Sequence, residues 1–243
     1  MLDVTVMGSG PRVLFIGGSV VGADVTWHHQ HELADRFTLV FAQRPGFGDS
    51  PPLARGDFEA EAPLFAELIE DGTHVVGHSY GAVIAMHAIA LRPGGVRSLA
   101  ISEPGCLRVA AGHPVADAMI AQGEELYRRV GEFEPYDFLH LFRGGTGSTH
   151  ATPEEPTPEL LRGAQMVMSE RPPWESDPPL DELAALDIPK LVMSGGHSEA
   201  FEAVCDVIAQ RIGARREHVL GRKHSIPGAE GYNEMLVRFL STA

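Results

Sequence analysis

The residues GHSYG, Gly77 to Gly81, place a serine hydroxyl between two glycines at i−2 and i+2. Before them runs THVV, β-branched and apolar; after them runs AVIAMHAIAL, small and helix-forming. Where G-x-S-x-G joins a strand to a helix, the backbone turns sharply at the serine and holds its hydroxyl clear of the chain. Gly77 and Gly81 remove the Cβ atoms that would collide in such a turn. The hydroxyl of Ser79 then stands at the carboxyl end of a strand, where open α/β sheets bind their ligands, and beside a helix N-terminus that favours negative charge. That is the placement of a nucleophile. Other clusters promise less. His28, His29 and His31 in WHHQH lack a completing carboxylate motif such as H-E-x-x-H, so no metal is expected. The glycines of RGGTGS lack the lysine of a phosphate-binding loop, and no cofactor is implied.

The elements around Ser79 follow from hydrophobic patterning. LDVTVM, a Gly-Ser-Gly-Pro turn and RVLFIGG read as strand, turn, strand. Asp24 to Arg36 has a helical composition, Phe37 to Gln43 reads as a buried strand, and RPGFGDSPP as a loop. Phe58 to Asp71 is an amphipathic helix, Thr73 to Gly77 a strand, Tyr80 to Leu91 a helix and Val96 to Ser102 a strand. From about Leu107 to Asp187 the alternation gives way to helices, loops and the proline-rich stretches TPEEPTPE and RPPWESDPP, which read either as the rim of an insertion or as a linker. Lys190 to Gly196, Ala200 to Ile212, REHVLG and Gly231 to Leu240 resume it as strand, helix, strand, helix. Strand-helix alternation predicts an α/β fold with a mostly parallel central sheet flanked by helices. The domain expectation is a core of residues 1–106 and 188–243 with a helical cap inserted at 107–187.

Bulk composition sets the limits. The 243 residues carry 33 acidic against 19 basic side chains, a net charge of −14, which disfavours nucleic acid and anionic membranes as main partners. Cys106 and Cys205 make no disulfide scaffold. The first residues lack a basic, then apolar, leader pattern and no run approaches a membrane span, so a cytoplasmic protein is expected. A small-molecule substrate is the expected partner, and a homodimer is among the assemblies the sequence allows.

Four motifs in order, GGSVVGADVTW, RPGFGDSPP, GHSYG and GRKHSIPGAEGYNEMLVRFL, make the chain resemble the α/β-hydrolases, small cofactor-free serine hydrolases with a helical cap. The likeness covers almost the whole chain and is weakest from 107 to 187. It implies a Ser-His-acid triad. His224 lies in the loop before the final helix, at the position of the family's base. The usual acid position, an aspartate in a G-x-x-D turn, is here Ser198 in GGHS, which cannot carry the charge. Glu103 in AISEPG ends the strand after the elbow helix, where some members place their acid, and is favoured; Glu199, beside the vacant position, is the alternative. The oxyanion hole implied is the backbone N–H of Tyr80 with that of Ser19, or of Val20 if the turn is aligned on Trp27. His78 is read as packing or pocket lining and Arg44 as scaffold. The resemblance implies an esterase-like hydrolase that forms an acyl-enzyme. A lyase, a cofactor-free perhydrolase or a non-catalytic ligand-binding protein on the same fold are the alternatives. The segment near Leu139 to Phe142 is expected to line the entrance.

Overall fold

The apolar runs become strands: β1 (Val4–Met7), β2 (Arg12–Ile16), β3 (Thr38–Ala42), β4 (Thr73–His78), β5 (Val96–Ser102), β6 (Lys190–Ser194) and β7 (Arg215–His218). The computed structural model describes residues 1–149 and 153–243. Its strands form one sheet in the order β1-β3-β2-β4-β5-β6-β7. β1 pairs antiparallel with β3, and all other neighbours run parallel. Side chains alternate between the faces as a pleated strand requires. Leu14, Ile16, Val75, Leu99 and Ile101 enter one apolar cluster, and Val13, Phe15, Val76 and Ala100 the other.

Helices cover both faces. α2 (Phe58–Ala66), α3 (Tyr80–Leu91) and α8 (Glu199–Ile212) supply Phe65, Ile84 and Ile208 to the first cluster. On the second, α9 (Tyr232–Thr242) packs Tyr232 and Leu236 near Trp27, which follows the short α1 (Ala23–Thr26). α3 is buried almost all round, as its uniformly apolar sequence demands. Both cysteines are free and buried, and burial pushes the Cys106 thiol up to about 12. No helix among the described residues is long and apolar enough to cross a membrane.

Between β5 and β6 lie α4 (Pro114–Arg128), α5 (Pro135–Thr146), α6 (Pro158–Ser169) and α7 (Leu180–Ala184). α4, α5 and α6 each start on proline, whose fixed φ and missing N–H suit the first turn of a helix. RGGT of the glycine cluster completes α5, which ends on Gly147 in the left-handed conformation. The proline stretches are structured where described: Thr157 caps α6, and Trp174 is buried. Residues 150–152, where the first proline stretch begins, lie outside the described residues. Phe138, Leu139, Leu160, Ala164 and Val167 form a small core that docks on Val20, in the loop between β2 and α1.

β7 stops at His218 rather than Gly221, and two helical segments differ more from their sequence expectation. Asp24 to Arg36 is not one helix: α1 stops at Thr26 and a 3₁₀ run covers His28–Asp35. Trp27 leaves helical geometry and is fully buried against the Phe15 ring, so tertiary packing overrides local propensity. α2 ends at Ala66, and the chain to Ile69 tightens into i→i−3 bonds, Leu68 to Phe65 and Ile69 to Ala66.

Candidate active site

The serine sits where β4 meets α3. Ser79 has φ 54° and ψ −119°, a conformation disfavoured for any side chain. The two glycines make it possible: a Cβ on Gly77 would lie 2.7 Å from the Ala82 Cα, and one on Gly81 2.3 Å from the Gly17 carbonyl oxygen. Among the described residues, the non-glycine positions with positive φ are Val20, Ser79, Glu103 and Lys223. All four lie at or beside this site, and such strain concentrates where function over-determines the backbone.

His224 follows β7 and lies in a 3₁₀ turn, Lys223–Gly228. Its Nε2 is 3.0 Å from Ser79 Oγ and its Nδ1 is 2.6 Å from Glu103 Oε2. The Phe201 ring stacks on it at 4.6 Å and the His78 ring lies at 5.0 Å, which fixes the imidazole plane. Glu103, fully buried at the end of β5, also accepts the Gly195 N–H at 2.6 Å through Oε1. Gly195 must be glycine, since a Cβ there would meet the Lys223 carbonyl oxygen at 2.3 Å. Burial works against a charge on Glu103, but the nearby His197 and the bonds from His224 and Gly195 outweigh it and bring its ionisation down to about 2. The Ser79–His224–Glu103 chain is thus continuous and its carboxylate stays charged at neutral pH. Glu199, by contrast, is exposed in the first turn of α8, and Ser198 caps that helix without a side-chain bond.

Facing Ser79 is the loop Gly17 to Val21. A Cβ on Gly18 would lie 3.1 Å from the Ser79 Cβ, so this loop passes directly beside the hydroxyl. The Val21 N–H is already spent on the Ser19 carbonyl at 3.0 Å. Tyr80, first residue of α3, has an N–H that the helix itself leaves without a partner. A buried ionic network backs this loop. Ser19 Oγ donates to Glu170 Oε1 at 2.5 Å, and Arg44 donates to Glu170 Oε2 at 3.2 Å. Arg44 also grips Glu61 through two bonds of 2.8 and 2.9 Å, donates to the Gly18 carbonyl at 3.2 Å, and lies over the Tyr80 ring at 4.0 Å. One guanidinium faces two buried carboxylates, and burial pushes Glu170 up to about 7. Glu170 escapes sequence reasoning because its partner Ser19 is 151 residues away and no local motif marks it.

Two cavities meet at the hydroxyl, both touched by Ser19, Ser79, Phe142 and Thr146. One, of about 480 Å³, is polar-rimmed by Asp24, His28, His29, Arg143 and Arg222. The other, of about 250 Å³, is walled by Leu107, Met119, Leu126, Leu141, Trp174 and Phe201. Leu141 and Phe142 meet the expectation for the entrance, but Leu139 does not: it is fully buried in the small core against Val20. His28 and His29 of WHHQH edge the polar cavity while His31 lies against the Phe41 ring at 4.9 Å, and among the described residues no group of three or more His, Cys, Asp or Glu could hold a metal.

The loop is also braced by α6. A Cβ on Gly163 of α6 would lie 1.8 Å from the Val20 carbonyl oxygen, a backbone contact that cannot yield cheaply. Gly163→Ala should therefore cost about 1–3 kcal/mol in urea denaturation and displace the loop beside Ser79. An unchanged midpoint would contradict this packing.

A parallel sheet with an antiparallel first strand, a left-handed serine elbow after β4 and a histidine after β7 together define the class. Residues 13–229 match the family model of the alpha/beta hydrolase family, and the chain belongs to that family. It is 32% identical over 184 residues to a pimeloyl-[acyl-carrier protein] methyl ester esterase of Methylococcus capsulatus, covering 72% of this chain and 66% of that protein. A second esterase of the same name, from Chromobacterium violaceum, is 38% identical over 100 residues, 41% of this chain and 39% of the relative. The matched regions thus span just under two thirds of the first relative and under half of the second. Among solved structures, an alpha/beta hydrolase from Sphaerobacter thermophilus superposes with a TM-score of 0.72 at 25% identity, covering 98% of this chain and 95% of that one.

Proposed function

We propose that the protein is a serine hydrolase of ester-like acyl substrates, with Ser79 as nucleophile, His224 as base, Glu103 as the triad acid, and the Tyr80 and Ser19 amides as the oxyanion hole. The observation that carries this reading is the unbroken relay of 3.0 and 2.6 Å from Ser79 through His224 to a buried carboxylate. A serine hydroxyl needs such a base to become a nucleophile near neutral pH. As Ser79 Oγ bonds to the ester carbonyl carbon, its proton passes to His224 Nε2. The imidazolium keeps its Nδ1–H on Glu103, whose charge stabilises it. The carbonyl oxygen becomes the oxyanion and accepts the two amide N–H donors; losing one such donor typically costs ~10²–10³ in rate. The leaving alkoxide takes the proton from Nε2. Water then gives a proton to His224, attacks the acyl-enzyme and releases the acid, and Ser79 recovers its proton.

The insertion at 107–187 serves as a cap in this reading, since its residues wall both cavities beside Ser79. The apolar cavity takes a hydrocarbon arm of the ester, and the polar-rimmed one takes the arm that bears polar groups. The esterase names of the two curated relatives fit this substrate class. The test is a p-nitrophenyl ester series of increasing acyl length. Hydrolysis should rise while methylenes fill the apolar cavity, each adding up to about 0.8 kcal/mol of binding, and fall once the chain outgrows it. No turnover with any member would refute the esterase reading and leave a binding protein.

A further inference from the structure

The turn after β6 reads Gly195, Gly196, His197, Ser198, and it is His197 that reaches the triad. Its Nδ1 lies 3.3 Å from Glu103 Oε1, the carboxylate oxygen that does not face His224. Its Nε2 lies 3.1 Å from the Thr146 carbonyl oxygen at the end of α5. Nε2 therefore has an acceptor within hydrogen-bond reach, whereas Nδ1 approaches the carboxylate off hydrogen-bond geometry and has no hydrogen-bond partner. The carboxylate contact is an ion pair, made only when the ring is the imidazolium. The acceptors also favour the cation for a second reason, because Thr146 belongs to the negative, C-terminal end of a helix.

The surroundings agree. Burial opposes a charge on His197, but Glu103, the Thr146 carbonyl and Glu202 of α8 outweigh it, so its ionisation lies above the ordinary imidazole range. Glu202 is itself held by Arg216 and His218. The His224 ring lies 6.3 Å away, and the Phe201 ring sits beside both, 5.9 Å from His197 and 4.6 Å from His224. Room for the contact is tight: a Cβ on Gly147, the residue after Thr146, would meet the His197 ring at 2.8 Å.

We infer that His197 is a positioning residue: as an imidazolium it clamps the pocket wall formed by α5 onto the Glu103 carboxylate. The inference rests on the triad reading above. It also gives the GGHS turn a purpose. With the acid moved to β5, the turn that would otherwise carry a carboxylate carries a cation that holds the relocated one. Because the folded state favours the charged ring, the clamp contributes fully below the unfolded imidazole value of 6.5 and is lost as pH rises through the higher folded value.

The experiment pairs His197→Gln with imidazole ¹⁵N NMR of the unaltered protein. Glutamine keeps a donor but no charge. In the unaltered protein kcat/KM should fall as pH rises through the His197 midpoint and the clamp is lost; in the variant, which has no charge to lose, that basic limb should be absent. A purely structural role would lower stability or kcat at every pH without removing the limb. In the unaltered protein, His197 should titrate above 6.5 with both nitrogens protonated below its midpoint. A basic limb retained in the variant, or a His197 already neutral at pH 6, overturns the proposal. If the variant fails to fold, the NMR titration still decides. Fluorophosphonate labelling of Ser79 in the unaltered protein separates the two failures, since a dead Ser79 sinks the triad reading while leaving the charge state of His197 readable.

Discussion

Ser79→Ala should remove up to ~10⁶ of turnover on an activated ester, the scale seen when a triad nucleophile is lost. The fold should survive. Ser79 makes no side-chain capping bond to α3, so the helix does not depend on its hydroxyl. What is lost is its contact with His224 at 3.0 Å, a hydrogen bond that contributes about 1 kcal/mol or less in an open site. Steady-state kinetics together with urea denaturation check both halves. Retained hydrolysis in a well-folded variant would move the nucleophile elsewhere.

Glu103→Gln should lower turnover by up to ~10⁴, and the geometry says why an amide of the same size fails. Oε1 faces two donors, the Gly195 N–H at 2.6 Å and His197 Nδ1 at 3.3 Å. A glutamine carbonyl oxygen would take that side, leaving its NH₂ towards His224 Nδ1. The imidazole would then accept at Nδ1 and carry its proton on Nε2, facing Ser79, where it cannot act as a base. Glu199→Gln, at an exposed position on α8, should change turnover by less than about twofold. The opposite ranking of the two variants would show that the acid lies elsewhere. The pH dependence follows the same carboxylate. Its ionisation is lowered from 4.5 to about 2, so its contribution to stability is complete above 4.5 and disappears as pH falls towards 2.

Much of this was legible in the chain because its signals are local. The elbow declares itself through glycines at i−2 and i+2, and α3 and β5 keep the bounds read from patterning, Tyr80–Leu91 and Val96–Ser102. Glu103 stood out because a carboxylate closing a buried strand needs a partner. The rest depends on contacts between distant segments. Trp27 breaks the helix expected from Asp24 because the core on that face has room for its ring. Leu139 turns inward because α5 and α6 build a small core of their own with Val20. His197 passes unnoticed when the turn is searched for a carboxylate, yet it sits one residue before Ser198 and touches the acid from the other side. The course of the loop beside Ser79 depends on a left-handed residue, Val20, that no alignment of short motifs places.

The central claim, that Ser79 is an activated nucleophile, is tested most directly by treating the protein with a fluorophosphonate and mapping the adduct by peptide mass spectrometry. The account predicts one adduct, on Ser79, that forms at neutral pH and is lost in the His224→Ala variant. An unlabelled protein, or an adduct on any other residue, would contradict it.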